Sequence, residues 1–272
     1  MDYDAATMES TAKTFRSDMW GTVCEDAILD LGIAEARFGP IQVTIFEALP
    51  DAPQMNAILG AAEPGAVEEG HLTSAIAWAD RFDVRYRVAV ARSRPGADVA
   101  ERYLNHQGFE QGRGLWKYVR DASPPDLPRD PGITVWRIDE EECAGETMAV
   151  SAGSAVGLPS EATHLLYALP SHERWRTYTA ELEERIVSFG SLMLDEGIAR
   201  IAFDGTVPEA RGRGCNTVLL RRRILTAIEA GCHTIFAELP EGESEGLAAA
   251  ARNLERAGFV PAYRSMNWQR PR

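Results

Sequence analysis

Between Thr206 and Thr217 the chain reads Thr-Val-Pro-Glu-Ala-Arg-Gly-Arg-Gly-Cys-Asn-Thr, residue types and spacing that suit the binding of an anion. Gly212 and Gly214 let the backbone approach a ligand closely, and a helix starting just after them leaves several N–H groups without internal partners. The helix dipole adds partial positive charge at the same place, so phosphate or pyrophosphate is the natural ligand. An ordinary tight turn between a strand and a helix would carry the same glycines, and local charge argues for the anion. The chain holds 28 basic against 41 acidic residues, yet from Ala210 to Ala227 there are five arginines and no acid. Arg211 and Arg213 flank the glycines, while Arg221, Arg222 and Arg223 are expected on a solvated helix face. An acidic protein that holds an anionic ligand needs such a local reversal of sign.

The elements that would position this loop are legible on both sides. Ile198-Ala199-Arg200-Ile201-Ala202-Phe203 reads as a strand, and Val218, Leu219, Leu220, Ile224, Leu225 and Ile228 recur at helical spacing. No Lys follows Gly214, which excludes a P-loop, and Thr217 stands where a dinucleotide loop needs its third Gly. What remains resembles the acetyl-CoA loop of the GNAT superfamily of N-acetyltransferases, Gln/Arg-x-x-Gly-x-Gly/Ala, with Arg211, Gly214 and, at the last place, Asn216. Val207-Pro208-Glu209 is similar to the superfamily's Val-x-Pro-Glu lead-in, and Asn253 to Phe259 resembles its Tyr-x-x-x-Gly-Phe closing helix, with Leu254 where Tyr is usual.

That resemblance implies acetyl-CoA or CoA as acyl donor and no metal. Its binding residues would be Thr206, Val207, Arg211, Gly212, Arg213, Gly214, Cys215, Asn216 and Thr217, with Asn253 on the pantetheine arm. A backbone N–H at Thr206 or Val207 would meet the thioester carbonyl. For the catalytic roles the residues leave alternatives. Asp204 is either the base or the shaper of a bulge beside Gly205. Tyr263, on the last strand, is either a substitute acid or a half-buried sheet tyrosine.

The element order after residue 133 is strand, helices (about 140–156 and 161–169), a three-strand meander, helix, strand, helix, strand, which matches the GNAT fold. Ahead of it, helix is expected over 5–34, 67–81 and 96–107, with strands over 41–46 and 84–90 and a hairpin from 108 to 120. Gln111-Gly112-Arg113-Gly114 mimics the loop but precedes a strand, so a hairpin turn is expected there. Glu101 to Phe109 parallels Ala251 to Phe259, 150 residues later. The first half therefore reads as a degenerate copy, whose acidic Glu63 to Gly70 segment would repel CoA. Four prolines between Ala122 and Pro131 cannot continue a helix or central strand. The expected organisation is an α/β fold of the α+β kind. A degenerate GNAT-like domain spans 1–121, a Pro-rich linker 122–132 and a GNAT domain with the acetyl-CoA loop 133–272. Each domain is a mixed, mostly antiparallel sheet flanked by helices.

Composition sets the remaining bounds. A net charge of −13 argues against nucleic acid and anionic membrane as partners, and favours a cationic or neutral amine. No apolar run spans a bilayer, the acidic N-terminus lacks a signal pattern, and four scattered cysteines suit reduced thiols, so a cytoplasmic protein is expected. The five histidines show no metal-ligand spacing. The expected activity is a CoA-dependent N-acyltransferase acting on a small-molecule amine, as monomer or homodimer. The alternative is a non-catalytic CoA-binding sensor or structural module.

Overall fold

The computed structural model describes residues 3–21, 25–138, 165 and 169–271. The helices expected over 140–156 and 161–169 fall almost wholly outside those residues. In chain order the elements are α1 (Ala5–Gly21), α2 (Glu25–Leu31), β1 (Ile33–Phe38), β2 (Ile41–Phe46), β3 (Ala57–Leu59), α3 (His71–Ala79), β4 (Arg87–Ala91) and α4 (Ala97–His106). Then come β5 (Glu110–Gln111), β6 (Leu115–Asp121), β7 (Ile133–Ile138), β8 (Trp175–Leu182), β9 (Arg185–Asp195), β10 (Ile198–Thr206), α5 (Cys215–Glu229), β11 (Thr234–Pro240), α6 (Glu245–Arg256) and β12 (Val260–Gln269).

The single long helix expected over 5–34 is instead two helices followed by β1. Gly32 turns the chain with φ 56°, and Ile33–Phe38 pairs antiparallel with β2 across Gly39. Strand pairing overrode helix propensity there. The meander in the second half follows its sequence signal closely. Glu183 and Glu184 form its tight turn with φ values of 53° and 60°, the mirror-image geometry that matches strand twist. Gln111 to Gly114 is the turn between β5 and β6, not a ligand loop.

All described strands join one sheet, in the order β1-β2-β3-β4-β12-β6-β11-β10-β9-β8-β7, with β5 on β12. The halves therefore exchange their last strands. β6, from the first half, pairs with β11 of the second, while β12 pairs with β4 of the first. The two exchanged strands meet antiparallel with Leu115 opposite Ser265, and these residues are themselves 150 apart, the offset of the repeated Gly-Phe motifs. An approximate two-fold relation thus passes through that pair. The parallel crossover β3-α3-β4 in one half corresponds to β10-α5-β11 in the other.

Helices cover both faces of the sheet. α1 crosses one face, where Met8 packs with Ala91, Val119, Ile198, Phe236 and Tyr263 from five central strands. On the other face, Ala199, Ile201, Ile235 and Ala237 pack against Leu220, Ile224 and Ala227 of α5 and Leu254 of α6. The Pro-rich segment is extended but anchored: Leu127 is buried in that same cluster, and its carbonyl accepts from Arg221 Nε at 3.2 Å. No described helix is long and apolar enough to cross a membrane.

Candidate functional site

β10 and β11 begin as a parallel pair and then part. Their register runs from Ile198 opposite Thr234 to Ile201 opposite Ala237 and stops. A bulge between Ala202 and Gly205 ends it, with Phe203 in the left-handed region at φ 53°. A phenylalanine in that region is strained, and such strain clusters at functional sites. Its ring packs on Phe15 and Trp175, at centroid distances of 5.4 and 6.0 Å, which pays for the conformation.

Past the bulge, Val207 N–H donates to Val187 O at 2.9 Å, so it is closed to a ligand. Bonded and non-bonded pairs alternate along an antiparallel ladder. Thr206, opposite Ser188, therefore turns its N–H and C=O away from β9, toward the side that β11 has left. Of the two amides expected to meet a thioester, only Thr206 faces the opening, and Val207 is corrected. The Thr206 carbonyl accepts from Arg211 Nε at 3.3 Å.

The chain then makes a 3-10 turn at Pro208–Ala210 and enters α5 through Gly214, the N-cap, with φ 89°. Gly212 has φ 76°, and a Cβ placed there would meet nothing within 4 Å. Arg211 and Arg213 N–H close the turn on Pro208 and Ala210 carbonyls. The N–H groups of Gly212, Gly214, Cys215, Asn216 and Thr217 take no acceptor among the described residues, and α5 has no side-chain cap. By contrast Ser244 caps α6, accepting from Leu247 N–H. An uncapped helix beside two left-handed glycines is the donor cluster that a pyrophosphate fits. The corresponding start of the first-half crossover helix is closed: Leu72 N–H donates to Ala66 O at 2.7 Å, and Glu69 and Glu63 stand nearby on His71 and Arg94.

The side chains sort differently from their sequence roles. Asp204 is bonded through both oxygens. Its Oδ1 accepts from Arg223 Nη2 and from Asn216 Nδ2 (2.9 Å), and its Oδ2 from Arg223 Nη1 at 3.1 Å. The clamp fixes the bulge to α5, which is what the shaping role requires. Arg223 is fully buried rather than solvated, under Gly190, where a Cβ would approach the guanidinium to 2.7 Å. Of the arginine triplet only Arg222 is exposed. Asn253 Nδ2, expected on the pantetheine arm, donates here to Asn216 Oδ1 at 3.2 Å and so links α6 to the loop. Arg213 pairs with Glu183 at the surface. Cys215 lies buried at the first turn of α5, where burial raises its thiol, so it contributes its amide only.

Tyr263 is also corrected. Its hydroxyl donates to Glu9 at 2.8 Å in the centre of the sheet, and burial, then the Glu9 charge, drive its pKa far above the ordinary tyrosine value. Among the described residues its contacts are with Glu9 and the core around Met8 and not with the loop, which fits the half-buried sheet tyrosine. Leu254, at the usual Tyr position, is a core residue.

Unforeseen is a group of charges on the α1 side of the opening. Glu238, on β11 just past its paired segment, accepts from Lys117 and from Arg200 Nη2 at 2.5 Å. Burial would raise its pKa, but Arg200 and Lys117 outweigh that and bring it down to about 2. Arg200 lies over the Phe15 ring, 3.5 Å from the centroid. The available signal was a charge flanked by apolar residues within each of three strands: Lys117 in β6, Arg200 in β10 and Glu238 in β11.

No protein-family model and no curated protein matches the sequence. Solved structures do match the fold. A GCN5-related N-acetyltransferase from Kribbella flavida aligns over 97% of this chain and 95% of its own, at 16% identity and a TM-score of 0.64. One from Sphaerobacter thermophilus covers 85% and 81%, at 18% identity and 0.61. A tandem GNAT protein from the clavulanic acid biosynthesis pathway covers 84% and 77%, at 15% identity and 0.61.

Proposed function

We propose, for a chain that has the fold of the tandem GCN5-related N-acetyltransferases, that it transfers an acetyl group from acetyl-CoA directly to the amine of a small molecule. The observation that carries this reading is the set of five N–H groups, from Gly212 to Thr217, that have no acceptor among the described residues, around the uncapped start of α5 and beside the opening between β10 and β11. Acetyl-CoA would supply an activated acyl group as its thioester. The chain's own part is binding and orientation. The amides from Gly212 to Thr217 hold the diphosphate, each charge-assisted bond contributing roughly 1.5–3 kcal/mol. Thr206 N–H is the donor available to a developing oxyanion, a role worth about 3–4 kcal/mol when the donor is preorganised. Asp204, Arg223 and Asn216 keep that amide and the helix start in fixed relation. The first half takes no CoA and instead covers the acceptor side through α1.

Calorimetry with CoA and thiol release from acetyl-CoA over an amine panel test this. Binding with amine-dependent release is expected; no heat from CoA overturns it. The second reading, a CoA-binding protein without turnover, is favoured by the two displaced tyrosine functions at Leu254 and Tyr263. Binding with no release on any amine would select it. Reduced Cys215 and Cys232 suit a cytoplasmic setting for either.

A further inference from the structure

Among the described residues, charge does not balance in the space under α1. Arg16, Arg87, Lys117 and Arg200 converge there, and among the described residues they face two carboxylates, Glu9 and Glu238. Lys117 bridges both, at 3.2 Å from Glu9, and Arg200 takes the other oxygen of Glu238. Nothing anionic is left for the other two. Arg16 donates only to the backbone carbonyls of Met55 and Gln54, and Arg87 Nη1 only to the neutral Asn267 Oδ1, at 2.6 Å. Arg87 Nε and Arg200 Nε are shielded from water and have no hydrogen-bond partner. Burial first, then Arg87 and Arg200, bring Arg16 down to about 9.

Buried donors are ordinarily satisfied, and a buried cation without a counter-charge is among the costliest features a fold can carry. Such a surplus calls for an anion. The surplus lies on the acceptor side of the opening: Arg200 precedes the bulge by two residues, and the Phe15–Phe203–Trp175 aromatics adjoin it. Arg87 is less buried than Arg16 and Arg200 and is the member of the group nearest solvent. A planar guanidinium matches a carboxylate.

We infer that Arg87 and Arg200, with Arg16 behind them, form a carboxylate-recognition site at the junction of the two halves, and that the acceptor is an amine that also bears a carboxylate. This inference rests on the acyl-transfer reading for the amine, but the carboxylate site itself is testable without turnover. The first half then has a binding role, since it supplies Arg16 and Arg87.

The test uses the full chain and thermal shift with calorimetry, at matched ionic strength. The probes are N-acetylglycine, its neutral amide N-acetylglycinamide, and inorganic phosphate, with CoA binding measured in parallel. Expected is a rise in melting temperature with N-acetylglycine only, lost in Arg87→Met and in Arg200→Met, while CoA affinity stays within twofold. Arg87→Met should also melt higher than the wild type without ligand, because it removes an uncompensated charge. Equal response to the amide, a response to phosphate alone, or no response to any probe overturns the site. Should Arg200→Met fail to fold, Arg87→Met alone decides. If N-acetylglycine binds but CoA does not, the acyl-transfer reading fails and the site stands. If CoA binds and amines with and without a carboxylate are acetylated alike, the acceptor assignment fails alone.

Discussion

Replacing Asp204 by Ala should damage stability rather than proton transfer, and the structure sets the size. Arg223 Nη2 has no other acceptor than Asp204, while Nη1 keeps Ser191 O and Ala202 O, and Nε keeps Leu219 O. The two charge-assisted bonds from Arg223 vanish, at about 1.5–3 kcal/mol each, together with the weaker bond from Asn216 Nδ2, and the fully buried guanidinium is left under-compensated. Because the Asp204 side chain is 36% exposed, screening discounts the sum, giving about 3 kcal/mol. For a chain this size that is a fall of about 6–12 °C in Tm. In an Arg223→Met background the same Asp204→Ala change should cost less than about 1 kcal/mol, since no charge is stranded. A double-mutant cycle by urea unfolding measures the coupling directly. Equal costs in both backgrounds would refute the clamp. So would unchanged stability with an acid limb removed from the pH–rate profile, the signature of a general base.

Other expectations follow from the same contacts. Gly214→Ala forces a Cβ into the left-handed region at a cost of about 1–2 kcal/mol; without a protein clash, its Cβ lying 3.7 Å from Ile133, the larger effect should be on CoA affinity by calorimetry. Gly190→Ala should destabilise by about 1–3 kcal/mol, because the pinned Arg223 guanidinium cannot retreat from the new methyl, and urea midpoints will report it. Glu238 is depressed in the folded state, so its contribution is complete above its ordinary value of 4.5 and is lost as pH falls toward about 2. The wild type should therefore lose stability across that window, and Glu238→Gln should flatten the slope there. Tyr263→Phe should leave kcat and its pH profile unchanged while lowering stability by about 1.5–3 kcal/mol through the lost bond to Glu9; a changed alkaline limb would restore the tyrosine as acid.

The sequence by itself determined the loop and its frame. Residue patterning marked the meander from Arg176 to Val207, glycines at 212 and 214 marked a backbone open to close approach, and helical periodicity placed α5 behind them, because these are local properties of neighbouring residues. It could not decide which Thr206–Val207 amide stays free, since that depends on the pairing phase with β9. Nor could it show that Arg223 folds inward to Asp204, that Tyr263 and Leu254 are core residues, or that β6 and β12 change places. The charged group of Arg16, Arg87, Lys117, Arg200, Glu9 and Glu238 is drawn from α1 and four strands of both halves. Only tertiary structure decides such matters, because strand order and side-chain convergence are set by long-range packing, on which local patterning is silent.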